Sequence, residues 1–283
     1  MTEEPVATGK IEFTKEKETL LMTLYGRALQ SQWEHPILRD PWAEDAVRRI
    51  DYDFSKLYGY AGVFGHLVSG LGCTIIATRA GTFDLETTRY LADHPEATVL
   101  HLGCGLDARV FRVDPPVSVS WFDVDYPDVI AVRRQLLPER PDYHLIGAPL
   151  EDLRWLDEVA GDRPVLVVAE GVLMYLSEAN VKALLNAVTG HFPSGQLVFD
   201  AVHPWIVRRT GSNVAGTGAS YRWGLAEPRD IKRLDPKLEL VKEYTRPELV
   251  AYSRFPLAVR ALFLLLDNVP ALRTMERPLV YRF

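Results

Sequence analysis

The amino-acid sequence predicts an α/β protein, with a mostly parallel sheet and helices on both of its faces. Three observations carry that reading. From residue 98 onward, short apolar runs alternate with amphipathic helical stretches. The first run ends in a glycine-rich turn, and several of the others end in an acid. A strand that is followed by a helix and then by another strand must pair in parallel, because the crossover returns the chain to the same edge.

The strands read in order as Thr98–Leu102, Val119–Asp123, Tyr143–Ile146, Val165–Ala169 and Gln196–Asp200. They are continuous apolar runs rather than alternating ones, as sheets covered on both faces require. Pro127 is placed to start a helix carrying Val129, Ile130, Val132 and Leu136, since proline suits the first helical position. Ser177 suits the N-cap of another, with Val181, Leu184, Leu185 and Val188 facing inward. After Asp200 the alternation breaks. Residues 203–235 form a long irregular insertion, and such stretches often act as lids. Leu238–Glu243 and Leu279–Phe283 read as a closing antiparallel pair, separated by a helix over Leu257–Asp267. Upstream, helical spacing covers residues 15–32, most of 42–80 despite many glycines, and Phe83–Ala92. The expected organisation is therefore a helical segment, 1–95, packed on a catalytic domain, 96–283, that carries the insertion.

Composition narrows the function. The 283 residues are 47% hydrophobic and 25% charged, which excludes a disordered chain. The longest apolar runs, such as Ala261–Leu266, fall well below the roughly 20 residues that cross a bilayer. The acidic N-terminus lacks a signal-peptide pattern, so a cytoplasmic protein without membrane attachment is expected. Lys and Arg total 32 against 38 Asp and Glu. That balance gives no basic surplus for nucleic acid. Two cysteines make neither a disulfide framework nor a zinc set.

The chemistry centres on Leu102-Gly103-Cys104-Gly105-Leu106-Asp107-Ala108-Arg109. Glycines at this point let a cofactor approach the backbone and let the chain turn into a helix. Asp123, 20 residues after Gly103, reads as the strand-end acid that accepts ribose hydroxyls. The turn also satisfies G-x-G-x-x-A, so a nicotinamide cofactor is a formal alternative. Asp107, however, sets a carboxylate where a pyrophosphate would approach. S-Adenosylmethionine carries no phosphate and is cationic, so Asp107, Asp123 and Glu170 at the sheet's carboxyl edge suit it better. Asp107 and Arg109 have two further readings, as partners of each other or as caps of the following helix. Cys104 reads as a small residue beside the cofactor rather than a nucleophile.

These motifs, with Trp121-Phe122-Asp123-Val124-Asp125-Tyr126-Pro127 and Ala169-Glu170-Gly171-Val172-Leu173-Met174-Tyr175-Leu176, resemble the leucine carboxyl methyltransferase family. Within it they are most similar to bacterial polyketide-type O-methyltransferases of the tetracenomycin kind. The resemblance runs from about Lys15 to the C-terminus. It implies a class I methyltransferase fold, Rossmann-like, with seven strands of which the last is antiparallel, and S-adenosyl-L-methionine as cofactor. It also implies that Arg79 reaches the cofactor carboxylate with Arg27 nearby. Gly103, Cys104 and Gly105 would line the methionine part. Asp123 and Val124 would meet the ribose, and Glu170 and Gly171 would lie beside the reacting end. At the adenine position Leu150 matches, but Pro149 stands where the family has an acid, leaving Glu151 or Asp152 to substitute.

The expected acceptor is a small molecule, methylated on a phenolic hydroxyl or a carboxyl group; the rival reading is a protein carboxyl group. A phenol benefits from a base, and His203 is the candidate, with Tyr175 and Tyr221 facing the acceptor. Arg208, Arg209 and Arg222 in the insertion could grip an anion. Tyr221 and Trp223 could stack on an aromatic acceptor, which tilts the sequence reading toward a hydroxyl.

Overall fold

The computed structural model describes residues 18–54, 57, 63–210, 220–269 and 276–283. Residues 1–17 and part of the expected lid, 211–219, lie outside the described residues. Seven strands form one sheet: β1 Thr98–Leu102, β2 Ser120–Asp125, β3 Tyr143–Gly147, β4 Val165–Ala169, β5 Gly195–Val202, β6 Glu239–Glu243 and β7 Glu276–Arg282. Their order is β3-β2-β1-β4-β5-β7-β6. β1 to β5 pair in parallel, and β7 runs antiparallel between β5 and β6.

Both sheet faces are covered, which explains the unbroken apolar runs. Leu100, Val165, Val167, Leu197 and Phe199 pack with Val181, Leu184, Leu185 and Val188 of α6, Glu178–His191. Their alternate neighbours, Val99, Leu166, Val168 and Val198, pack with Phe83, Tyr90 and Leu91 on the other face. Ser177 caps α6 by accepting from the Asn180 N–H at 3.2 Å. Pro127 opens α5, Pro127–Leu136.

The helical first part contains α1 Glu18–Ser31, α2 Pro41–Arg49 and α3 Val63–Asp93. α3 is one helix of 31 residues rather than the two stretches, within 42–80 and at Phe83–Ala92, that helical spacing marks. Its buried threonines do not interrupt it, because Thr74, Thr82 and Thr87 return their hydroxyls to carbonyls one turn back. α1 and α2 share a core with the sheet layer: Leu21, Leu24, Ala28, Ala43 and Ala46 pack against Leu106, Val132 and Leu136.

The second strand corrects the expected boundary. It extends through Asp125, and its register sets Asp123 opposite His101, one layer below the sheet's edge. The insertion also carries more regular structure than expected, with α7 at Pro204–Thr210 and a 3-10 turn at Pro228–Arg233. None of the described helices is long and apolar enough to cross a membrane. α4 is Arg109–Val113, and α8 is Leu257–Leu266.

Candidate cofactor and active site

A cleft lies at the carboxyl edge of β1, β2 and β4, where the strand order reverses direction. Ligands bind at this position in open α/β sheets. It has two lobes, of about 360 and 290 Å³, which share Thr19, Leu20, Gly103, Gly171 and Tyr175. The first lobe is lined by Asp125, Tyr126, Val129, Ala148, Leu150, Glu151 and Arg222. The second is lined by Arg27, Arg79, His101, Cys104, Gly105, Asp107, Glu170, Met174 and Tyr221, with Met22, Ile75 and Ile76.

The backbone of the cleft depends on three glycines with positive φ: Gly103 at 60°, Gly105 at 50° and Gly171 at 67°. A Cβ at Gly103 would meet Val172 at 2.4 Å, and one at Gly105 would meet Leu20 at 2.8 Å. Glycine is therefore needed there for both conformation and space. The Gly105 N–H donates to Asp125 Oδ2 at 2.7 Å, and the Tyr126 N–H donates to Asp125 Oδ1 at the same distance. These bonds aim the Asp125 carboxylate from the strand end. Burial pushes its pKa up despite them.

Asp123 is a different kind of group. It is fully buried and does not line the cleft. Its oxygens accept from His101 Nδ1 at 3.0 Å, Trp121 Nε1 at 2.9 Å, the Tyr143 hydroxyl at 2.6 Å and Arg133. Burial would raise its pKa, but Arg133, His101 and Tyr143 prevail and hold it at about 2. The expectation that Asp123 meets a ribose is thus corrected, and the acid of β2 that faces the cleft is Asp125. Val124 is likewise core, fully buried, with its carbonyl accepting from the Gly103 N–H.

The floor of the second lobe is an ionic network. Arg109 is fully buried and donates to Asp84 at 2.7 Å and Glu170 at 2.5 Å, with Asp107 at 3.2 Å. Arg79 donates to Glu170 at 2.8 Å and lies 3.4 Å from Asp200. Arg27 donates to Asp40 and to the Leu106 carbonyl, both at 3.0 Å. Arg112 bridges Asp40, Asp84 and Asp107. Against the cost of burial, these guanidiniums hold the carboxyls of Asp107 and Glu170 below the ordinary range. The acids at the sheet edge are therefore matched by arginines. A bound cation would not be their sole compensation, contrary to the sequence argument. Asp107 and Arg109 do pair with each other.

Other expected residues divide. Leu150 and Glu151 line the first lobe, whereas Asp152 is taken up by Arg154 at 2.5 Å and caps a 3-10 turn. Tyr175 and Tyr221 stand 5.4 Å apart between the ring centroids and both line the cleft. Cys104 lines it too, and burial pushes its thiol well above the ordinary range, which keeps it from acting as a thiolate. His203 is not among the lining residues. Its Nδ1 accepts from the Trp205 N–H at 3.1 Å at the start of α7. Burial, Arg277 and Arg208 lower its pKa. Trp223 is buried beside Phe199, so it offers no face to an acceptor. The backbone N–H groups of Arg222 and Trp223 both donate to the Met174 carbonyl, which pins this segment over the cleft.

A family model described as leucine carboxyl methyltransferase matches residues 20–189, which include both glycine turns, Asp125 and Glu170. The chain belongs to the leucine carboxyl methyltransferase family. The tetracenomycin polyketide synthesis O-methyltransferase TcmP of Streptomyces glaucescens is 40% identical over 275 residues, covering 96% of this chain and 98% of that protein. The S-adenosyl-L-methionine-dependent methyltransferase dpfgK of Gibberella zeae is 32% identical over 250 residues, 82% of each chain. A solved magnesium protoporphyrin IX methyltransferase from Synechocystis with bound S-adenosylhomocysteine is 14% identical, with a TM-score of 0.47, over 84% of this chain and 93% of that one. This member of the leucine carboxyl methyltransferase family is an S-adenosylmethionine-dependent methyltransferase. The donor set fits the cofactor: an aimed carboxylate for a diol, an apolar slot at Ala148 and Leu150, and opposed charges at Arg79 and Glu170 for an amino-acid zwitterion.

Proposed function

We propose that the protein methylates a carboxylate of a small, aromatic acceptor. When bound, S-adenosylmethionine supplies a methyl group on a sulfonium. The residues assigned to hold it are Asp125 for the ribose, Leu150 and Glu151 for the adenine, and Arg79 and Glu170 for the carboxylate and ammonium of the methionine part. Gly103, Gly105 and Gly171 leave room for the backbone to approach it. Tyr175 and Tyr221 flank the acceptor side, and Tyr221 offers a face for an aromatic ring.

The observation that carries the choice of a carboxylate is the character of the acceptor end. Arg222 is an exposed arginine that lines the first lobe, which also holds Tyr175 and the residues assigned to the nucleoside, so it is a cationic anchor at the edge of the cofactor site. His203, the expected base, is turned into the start of α7 instead. A carboxylate is already ionised near neutral pH and needs anchoring rather than a base, whereas a phenol, with a pKa near 10, benefits from one. This reading replaces the hydroxyl preference, half of which rested on Trp223. The name of TcmP, an O-methyltransferase of polyketide synthesis, supports a polyketide-type acceptor.

Steady-state kinetics test the reading. Arg222→Gln should raise KM for the acceptor at least about tenfold through loss of a charge-assisted contact, with S-adenosylhomocysteine affinity unchanged. The wild-type rate should stay flat between about pH 6 and about pH 9, and should survive His203→Ala. A rate that climbs across that range and collapses in His203→Ala would show a phenol chemistry instead.

A further inference from the structure

Glu170 is held from two sides by arginines of different character. Arg79 donates to Oε1 at 2.8 Å and is about one-fifth exposed to the cleft. Arg109 donates to Oε2 at 2.5 Å and is wholly buried beneath it. Arg109 is itself fixed. Its Nε donates to Asp84 at 2.7 Å, its Nη2 lies 3.2 Å from Asp107, and its Nη1 lies 3.4 Å from His101 Nε2. The far nitrogen of that imidazole bonds to the buried Asp123. The ring is a fixed spacer between the arginine and the core.

We propose that Arg109 is a positioning residue for the cofactor's ammonium group, acting through Glu170. The proposal rests on the assignment of Glu170 to that ammonium and extends it. A cofactor carboxylate arriving at Arg79 competes with Glu170 for the same guanidinium. Glu170 then needs a second, permanent partner to stay ionised and aimed into the cleft. Arg109 supplies it from below, without occupying the cleft. Guanidinium geometry matters here, because one planar group serves three carboxylates at once and an ammonium on a flexible stem cannot.

The test compares two ligands by calorimetry: S-adenosylhomocysteine and its deamino analogue, which lacks only the α-ammonium. Glu170→Gln should weaken the first at least about tenfold and the second less than about twofold. Arg109→Met should show the same ammonium-selective loss, and Arg109→Lys an intermediate one. Arg109→Met added to Glu170→Gln should bring no further selectivity, since both act through one contact. If Arg109→Met does not fold, Arg109→Lys carries the comparison alone. Equal weakening of both ligands in the Arg109 variants, with Glu170→Gln still selective, would overturn the role of Arg109. Loss of selectivity in Glu170→Gln itself would instead overturn the assignment of Glu170 on which the proposal stands.

Discussion

Two aspartates two residues apart have opposite duties. Side chains at i and i+2 of a strand share a face, so alternation alone cannot separate Asp123 from Asp125. Register separates them: Asp123 lies opposite His101, while Asp125 lies past the end of β1 and receives the Gly105 N–H. Asp125→Asn should therefore lose at least about tenfold in S-adenosylhomocysteine affinity by calorimetry, with little change in melting temperature. Asp123→Asn should do the reverse and lower the melting temperature. Its pH behaviour follows from sign. The folded pKa, about 2, lies below the ordinary carboxylate value near 3.9. The stabilisation is thus complete above about pH 4 and is lost as pH falls toward about 2. Acid unfolding followed by circular dichroism should show that loss in wild type and a flatter acid limb in Asp123→Asn.

At the scale of elements, most of the fold was legible. Apolar runs marked all seven strands, and Pro127 and Ser177 marked two helix starts, because these signals are local. What failed has non-local causes. Helical spacing marked 42–80 and Phe83–Ala92 as separate stretches, but tertiary contact sustains one helix: its second half covers one sheet face through Phe83, Tyr90 and Leu91. The strand end at Asp125 was missed because the apolar run stops at Phe122, and pairing with β3 carries the strand further. Two substitutions test the elements. Ser177→Ala removes one cap bond and should cost about 1 kcal/mol in denaturant unfolding, leaving cofactor affinity intact. Gly103→Ala forces a Cβ into a left-handed conformation and against Val172. It should cost more than the roughly 1–2 kcal/mol of the conformation alone and should reduce cofactor affinity as well.

Across the whole molecule, the buried charges tie the helical layer to the sheet. Arg27 of α1, Asp40 at the start of α2, Asp84 of α3 and Arg112 of α4 meet beneath the glycine turn. These partners are 13 to 72 residues apart. Sequence spacing therefore carried no sign of them. Arg112→Met would leave Asp40, Asp84 and Asp107 short of compensation and should destabilise the protein by about 3–5 kcal/mol in urea unfolding. The same layering explains why some site residues were found from the sequence and others were not. The glycines, Leu150 and Glu170 sit at strand ends where the motifs are contiguous. Asp125 and the link from Arg109 to Glu170 gain their meaning from groups brought in across the sheet.

The proposed reaction passes a methyl group from S-adenosylmethionine to a carboxylate. The most direct measurement supplies cofactor labelled in that methyl together with aromatic carboxylic acids and the matching phenols, then treats the product with mild alkali. Transfer to a carboxylate gives a methyl ester, so the label should be released as volatile methanol. Label retained in a product that withstands alkali, as an aryl methyl ether does, would show transfer to a hydroxyl instead.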